Sequence, residues 1–101
     1  MYRAVYLPTA RQQLEDAVLY IAVDLCAPDA AMKLVDEVDE AVRRLEEMPY
    51  RFPIYHTLYA VKREIRFFPL KNDNVYYVID EDAKTVEIWR VLHRLQRQER
   101  R

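Results

Sequence analysis

The sequence contains no glycine, and it has only one cysteine and two histidines among its 101 residues. Without glycine, the chain lacks the glycine-rich loops that cradle phosphate in P-loop and dinucleotide-binding proteins. The single cysteine, Cys26, excludes an internal disulfide framework and any cysteine-rich zinc module. His56 and His93 do not have the spacing of metal ligands, so we predict no metal site.

Long apolar segments are also missing. The longest uncharged apolar run, Ala17 to Val23, ends at Asp24. It is far shorter than the roughly 20 residues that cross a bilayer, and no stretch resembles the core of a signal peptide. We therefore expect a cytoplasmic protein without membrane contact, in which Cys26 is a small packed residue near a helix end.

The net charge of −1 conceals an asymmetry along the chain. Residues 1–48 carry five basic and ten acidic side chains, a charge of −5, whereas residues 49–101 carry eleven basic and seven acidic ones, a charge of +4. Near-neutrality argues against a protein whose whole surface attracts nucleic acid. A local basic surface in the second half suits a specific anionic partner, although a solvated, charge-balanced surface would have the same composition.

The first half of the chain predicts a short strand and two helices. Residues 2–7 are β-branched and aromatic up to Pro8, which is typical of a strand. Thr9 and Gln12 have the spacing of a capping box, which predicts that a helix begins there. Apolar residues then recur at helical spacing from Leu14 to Leu25 and, after Pro28, from Ala31 to Met48. The short connection predicts an antiparallel helical hairpin.

The second half predicts three strands after a connection rich in aromatic residues and proline. The connection covers residues 49–60, and the strands cover about Val61–Phe68, Val75–Ile79 and Thr85–Leu92. The segments 72–74 and 80–83 supply the turns, with Asn and Asp where glycine would otherwise occur. The predicted fold is a single α+β domain over residues 1–101, in the order β-α-α-β-β-β, with a helical hairpin on an antiparallel sheet and a basic tail at about 94–101.

Large apolar side chains occur at both alternating sets of strand positions, so both faces of the sheet are predicted to be apolar. In the last strand, one set holds Val86, Ile88 and Leu92, and the other includes Trp89 and Val91. One helical hairpin covers only one face. The other face would present aromatic groups beside arginines, which usually marks a partner site, unless the 49–60 connection and the tail cover it.

An ordered set of motifs resembles the RelE/ParE superfamily, the toxins of bacterial type II toxin–antitoxin modules. The most specific are the segments at 65–70 (Ile-Arg-Phe-Phe-Pro-Leu), at 75–80 (Val-Tyr-Tyr-Val-Ile-Asp) and at 86–93 ending in Arg-Val-Leu-His. The resemblance runs from about residue 2 to 95. It implies the predicted fold, no cofactor, and one of two activities.

RelE-like members resemble small ribonucleases that cut mRNA on the ribosome, whereas ParE-like members inhibit DNA gyrase without being nucleases. The long acidic hairpin and the Arg-Val-Leu-His ending resemble ParE more closely, so gyrase is the expected target and growth arrest the expected effect. A RelE-like, metal-independent endoribonuclease acting on ribosome and mRNA remains the alternative. A catalytically silent module that merely binds its antitoxin is a further one.

The candidate site residues follow from the resemblance. If the protein is a nuclease, the basic and acid–base groups would be Arg66, Arg90, His93, Arg94 and Tyr77, with Tyr76 nearby. For either activity, the resemblance implies a cognate antitoxin that forms a hetero-oligomer with the toxin and wraps the groove between hairpin and sheet. The predicted antitoxin-binding residues are Tyr6, Arg63, Arg66, Phe67, Trp89 and Arg90.

Overall fold

The computed structural model describes residues 1–55 and 63–93, with the backbone alone at His93. The elements follow the order β1 (Arg3–Tyr6), α1 (Pro8–Leu19), α2 (Pro28–Glu47), β2 (Ile65–Pro69), β3 (Asp73–Asp80) and β4 (Thr85–His93). The predicted α+β class and element order are confirmed. The predicted tail, 94–101, and the segment 56–62 lie outside the described residues.

The four strands form one sheet in the order β1-β4-β3-β2. The last three strands pair antiparallel, as predicted, but β1 pairs in parallel with β4, so the sheet is mixed rather than antiparallel throughout. The helical hairpin between β1 and the meander makes this possible, because a parallel neighbour needs a long crossover connection. β3 begins at Asp73, so the predicted turn at 72–74 is largely strand.

The first helix begins and ends differently from its prediction. Its N-cap residue is Leu7 and Pro8 opens the first turn, with no side-chain cap, so the predicted capping box at Thr9 and Gln12 is wrong. After Leu19 the chain widens into one π-helical turn over Tyr20–Asp24, which allows the amide of Leu25 to bond the carbonyl of Tyr20 at 3.1 Å.

Cys26 closes this turn and is exposed, which contradicts the prediction that it is packed. Its φ of 52° lies in the left-handed region, where glycine would be the usual residue. Lys84, in the β3–β4 turn, has a φ of 55°. At these two positions the glycine-free chain therefore adopts the left-handed conformation with ordinary side chains.

The core lies between the helical hairpin and one face of the sheet, which we call the helix face. The hairpin contributes mainly small and branched side chains, with Leu34, Val38 and Leu45 of α2 almost completely buried. The sheet contributes Phe68, Val75, Tyr77, Val86, Ile88 and Val91. The opposite side of the sheet, which includes Phe67, Tyr76 and Glu87, is called the outer face below. No helix in the described part of the chain is both long and apolar enough to cross a membrane.

A β-bulge in β4 changes which residues share a face. Tyr77 pairs with Ile88 and Tyr76 with Arg90, so Trp89 is the extra residue between them. Val91 therefore joins Val86 and Ile88 in the core instead of alternating with them. The predicted grouping of Val91 with Trp89 on one face is wrong for this reason.

Candidate outer-face groove and the helix-face tyrosine

The outer face carries an aromatic cluster at its centre. The ring of Tyr55 meets Tyr76 edge-on at a centroid distance of 5.0 Å and Phe67 at 6.0 Å, while Phe67 and Tyr76 stack at 5.9 Å. These side chains are half-buried or exposed. The predicted apolar second face is therefore present, and Tyr55 from the connecting segment covers part of it.

An open groove of about 690 Å³ lies beside this cluster and reaches the second half of β4. Its described lining comprises Gln13, Tyr55, Ile65, Tyr76, Trp89, Arg90 and Leu92. β1 ends at Tyr6, and among residues 1–55 and 63–93 no other strand lies beside the second half of β4 on that side. There, Gln13 of α1 accepts a hydrogen bond from the amide of Val91 at 2.8 Å. The groove therefore combines aromatic walls with an incompletely paired strand edge.

Glu87 organises one end of the outer face. Its Oε1 accepts a hydrogen bond from the indole N–H of Trp89 at 3.1 Å and from the guanidinium of Arg63 at 3.3 Å. The Glu87 side chain is 23% exposed and that of Arg63 is 43% exposed, so this ion pair is partly shielded from water. Because one carboxylate oxygen holds both donors, Trp89 and Arg63 are fixed relative to each other. Sequence reasoning missed Glu87, and its position two residues before Trp89 is the only signal for it.

Arg66 lies on the helix face, away from this groove. Its guanidinium donates a 2.7 Å hydrogen bond to the carbonyl of Phe52 and lies 5.1 Å from the ring centroid of Tyr50. A carboxylate oxygen of Glu64 is 3.9 Å away. The side chain is only 15% exposed. The cation therefore binds the chain's own backbone.

Tyr77 is the clearest structural tyrosine. Its side chain is fully buried, and its hydroxyl donates a 2.6 Å hydrogen bond to the carbonyl of Pro49. Burial raises the pKa of Tyr77 to about 12, although the nearby Arg66 lowers it. A general acid or base must reach its substrate. Within the described part of the chain, the Tyr77 hydroxyl is bonded to the backbone and shielded from solvent, and this geometry argues against the predicted catalytic role.

Tyr6 also lies on the helix face, at the β1 edge of the sheet, where its partner in register is Ile88. Its hydroxyl is buried without a hydrogen-bond partner among the described residues. Burial, reinforced by Asp39, raises the pKa of Tyr6 to about 12, against the opposing effect of Arg11. The guanidinium of Arg11 lies 5.8 Å from the ring centroid.

The structure thus places Arg63, Phe67, Trp89 and Arg90 on the outer face, and Tyr6, Arg66 and Tyr77 on the helix face. Arg63 and Arg66 meet only at the end of the sheet, where both line a small pocket of about 260 Å³. The backbone of His93 ends β4 opposite Asp73, and its side chain, like Arg94, lies outside the described residues. Among residues 1–55 and 63–93, no group of three His, Cys, Asp or Glu side chains is arranged to hold a metal ion.

Comparisons with known proteins agree with this architecture. A search of curated protein sequences finds no match. Seven chains of solved structures match, among them one from a structure described as "Chromosomal ParDE TA system from P. aeruginosa". That chain is 21% identical and superposes with a TM-score of 0.70, covering 92% of this chain and 96% of its own length, which shows a shared fold.

The family model described as "ParE toxin of type II toxin-antitoxin system, parDE" matches residues 4–98. This match covers nearly the whole sequence and includes both helices and all four strands except Arg3. The chain therefore belongs to the ParE toxin family of type II toxin–antitoxin systems.

Proposed function

We propose that this toxin acts in the cytoplasm by inhibiting DNA gyrase through protein–protein contact, and that a cognate antitoxin neutralises it by covering the outer face. The observation that carries the first part is the separation of the predicted nuclease groups. Arg66 and Tyr77 are bonded to backbone carbonyls on the helix face, while Arg90 is exposed on the other side of the sheet.

A ribonuclease needs several groups converging on one phosphate. Cations must meet the charge that develops on the phosphate, and an acid or base must lie within hydrogen-bond reach of the attacking and leaving oxygens. Of the predicted set, Arg66, Tyr77 and Arg90 can be compared. Arg66 and Tyr77 are neighbours on the helix face, where backbone carbonyls occupy both, and Arg90 lies on the opposite face, so the three do not converge on one point. This favours an inhibitor that acts by binding its target, and it argues against an enzyme that cleaves RNA.

The surface available for binding has both apolar and charged character. The aromatic groove offers Tyr55, Tyr76 and Trp89 to apolar side chains, and Arg63 and Arg90 lie beside it. A segment with branched or aromatic anchors and nearby carboxylates would complement this surface. An antitoxin chain with such a segment is the partner we propose for the outer face.

The first experiment tests the target. Expression of the toxin without antitoxin should arrest growth with filamentation and a DNA-damage response, and purified toxin should inhibit supercoiling by gyrase. Codon-dependent mRNA cleavage on ribosomes, with unimpaired supercoiling, would instead establish the nuclease. An absence of any growth effect would favour a silent antitoxin-binding module.

The second experiment tests the antitoxin surface. Trp89→Ala should weaken binding of the antitoxin at least tenfold in calorimetric titration, because buried aromatic anchors supply much of the energy of such interfaces. Met32→Ala is the matched control. It truncates an apolar side chain that is 60% exposed on α2, and α2 covers the opposite side of the sheet from the outer face. Equal affinities for both variants would rule out the outer face as the antitoxin site.

A further inference from the structure

The segment from Pro49 to Tyr55 passes from one side of the sheet to the other around the β2 edge. On the helix face, Phe52 packs against Phe68 with ring centroids 5.2 Å apart. Three residues later, Tyr55 lies on the outer face against Tyr76. The same short segment therefore seals the core and forms one wall of the outer-face groove.

Backbone hydrogen bonds hold the end of this segment to the edge strand. Ile54 forms an isolated antiparallel bridge with Arg66. The amide of Tyr55 donates to the carbonyl of Ile65 at 2.6 Å, and the amide of Phe67 donates to the carbonyl of Pro53 at 3.3 Å. A bridge this short has few bonds of its own, so its position depends on what fixes the residues before it.

Arg66 fixes those preceding residues from the opposite side of β2. Its guanidinium bonds the Phe52 carbonyl and packs on the Tyr50 ring, while its backbone belongs to the strand that pairs with Ile54. A single residue therefore contacts the segment through both its side chain and its backbone. Arginine suits this task because its planar guanidinium donates a hydrogen bond and stacks on an aromatic ring at the same time.

We propose that Arg66 is a positioning residue for the outer-face groove: it holds the Pro49–Tyr55 segment so that Tyr55 forms the groove wall facing Trp89. Arg66 acts on the groove without lying in it. Only its consequence for antitoxin binding rests on the proposed function, because the effect on the groove belongs to the free toxin.

The chain has one tryptophan, and it lines this groove, so its fluorescence reports the proposed effect directly. Arg66→Ala should raise the acrylamide quenching constant of Trp89 and shift its emission to longer wavelength, since loss of the Tyr55 wall admits water and quencher. Arg66→Lys should restore much of the wild-type signal, because an ammonium group can also donate to Phe52 and lie over the Tyr50 ring. Arg44→Ala, which removes an exposed arginine on α2, is the matched control and should leave both readings unchanged.

A double-mutant cycle separates positioning from general loosening. If Arg66 acts through Tyr55, Arg66→Ala should add little quenching to a Tyr55→Ala variant. Additive effects would overturn the proposal, as would an Arg66→Ala protein that unfolds cooperatively but keeps wild-type Trp89 quenching. Should Arg66→Ala fail to fold, hydrogen exchange in Arg66→Met, which keeps a long side chain but has neither the donor nor the charge, serves instead. Faster exchange of the Tyr55 and Phe67 amides, against unchanged exchange in β4, is expected, and wild-type exchange would refute the proposal.

The two proposals fail separately. Unchanged quenching in the variants would remove the positioning role while leaving gyrase inhibition and antitoxin binding intact. A toxin that leaves gyrase supercoiling unimpaired would remove the proposed target, and the Trp89 measurements on the free protein would keep their meaning.

Discussion

The two faces of the sheet use the same kinds of residue for different purposes, often at consecutive positions. Tyr77 on the helix face is fully buried and bonded to Pro49, whereas Tyr76 on the outer face packs in a half-buried aromatic cluster. Phe68 and Phe67 repeat this contrast in β2. Residue type therefore does not distinguish a fully buried aromatic group from a partly exposed one here, and the side of the strand does.

The arginines show the same division. Arg66 on the helix face has its guanidinium bonded to a backbone carbonyl, whereas Arg90 on the outer face is exposed. Burying a cation is costly unless hydrogen bonds satisfy it, and that requirement is what ties Arg66 to the Pro49–Tyr55 segment. A contact on the helix face thus determines where the segment lies, and the end of that segment, Tyr55, forms part of the outer face.

The largest expected contrast is between the two adjacent phenylalanines. Phe68→Ala should destabilise the protein by about 3–5 kcal/mol, because it removes a fully buried ring and leaves a cavity. Phe67→Ala should cost at most about 1–2 kcal/mol, since its ring is only partly buried. Urea unfolding of both variants measures the difference. Equal losses would mean that the outer face is as much a part of the core as the helix face.

A smaller contrast is expected for the tyrosine pair. Tyr77→Phe should cost about 1–2 kcal/mol, because the Pro49 carbonyl loses its donor in a buried site. Tyr76→Phe, the matched variant next to it in the sequence, should change the free energy of unfolding by less than about 0.5 kcal/mol. If Tyr77→Phe is as stable as the wild type, the bond to Pro49 does not anchor the segment.

Periodicity and turn chemistry could predict the element order and the hairpin but not the register of the last strand. A single bulge at Trp89 moves Val91 into the core, and no alternating pattern signals an inserted residue. The sequence also did not predict that β1 pairs in parallel with β4, because the neighbour of a strand in the sheet depends on the path that the chain takes after it. A connection through two helices is compatible with more than one sheet order.

The predicted site residues divide between the two faces, and the sequence does not show this division because it does not show which backbone groups each side chain meets. Arg63, Phe67, Trp89 and Arg90 share the outer face, but Arg66 and Tyr77 have the residue types of a catalytic site and the contacts of a structural one. Their partners are the carbonyls of Phe52 and Pro49, and backbone carbonyls carry no sequence signal. Side-chain chemistry alone therefore overestimates the reactive groups of this sheet.

The smallest expected effect on stability comes from a surface cluster around Glu81, here called the clamp, which joins the start of the chain, the Pro49–Tyr55 segment and the β3–β4 turn. The carboxylate of Glu81 accepts hydrogen bonds from the hydroxyls of Tyr2 and Tyr50 and from Lys84. These hydrogen bonds, led by that of Tyr2, lower the pKa of Glu81 to about 2 from an ordinary value of 4.5. All of these groups are at the surface, so solvent screens the interaction and its effect on stability is modest.

The sign of its pH dependence follows from linkage. A carboxyl group whose pKa is lower in the folded protein stabilises it above the unfolded pKa and loses that contribution as pH falls towards the folded pKa. The melting temperature of the wild type should therefore fall more steeply than that of Glu81→Gln between about pH 4.5 and pH 2. Glu47→Gln, at the end of α2, is the control and should follow the wild-type curve. Parallel curves for the wild type and Glu81→Gln would show that these hydrogen bonds to Glu81 are not formed in solution. The stacking of Arg66 on the Tyr50 ring would then be the contact that holds Tyr50 in place.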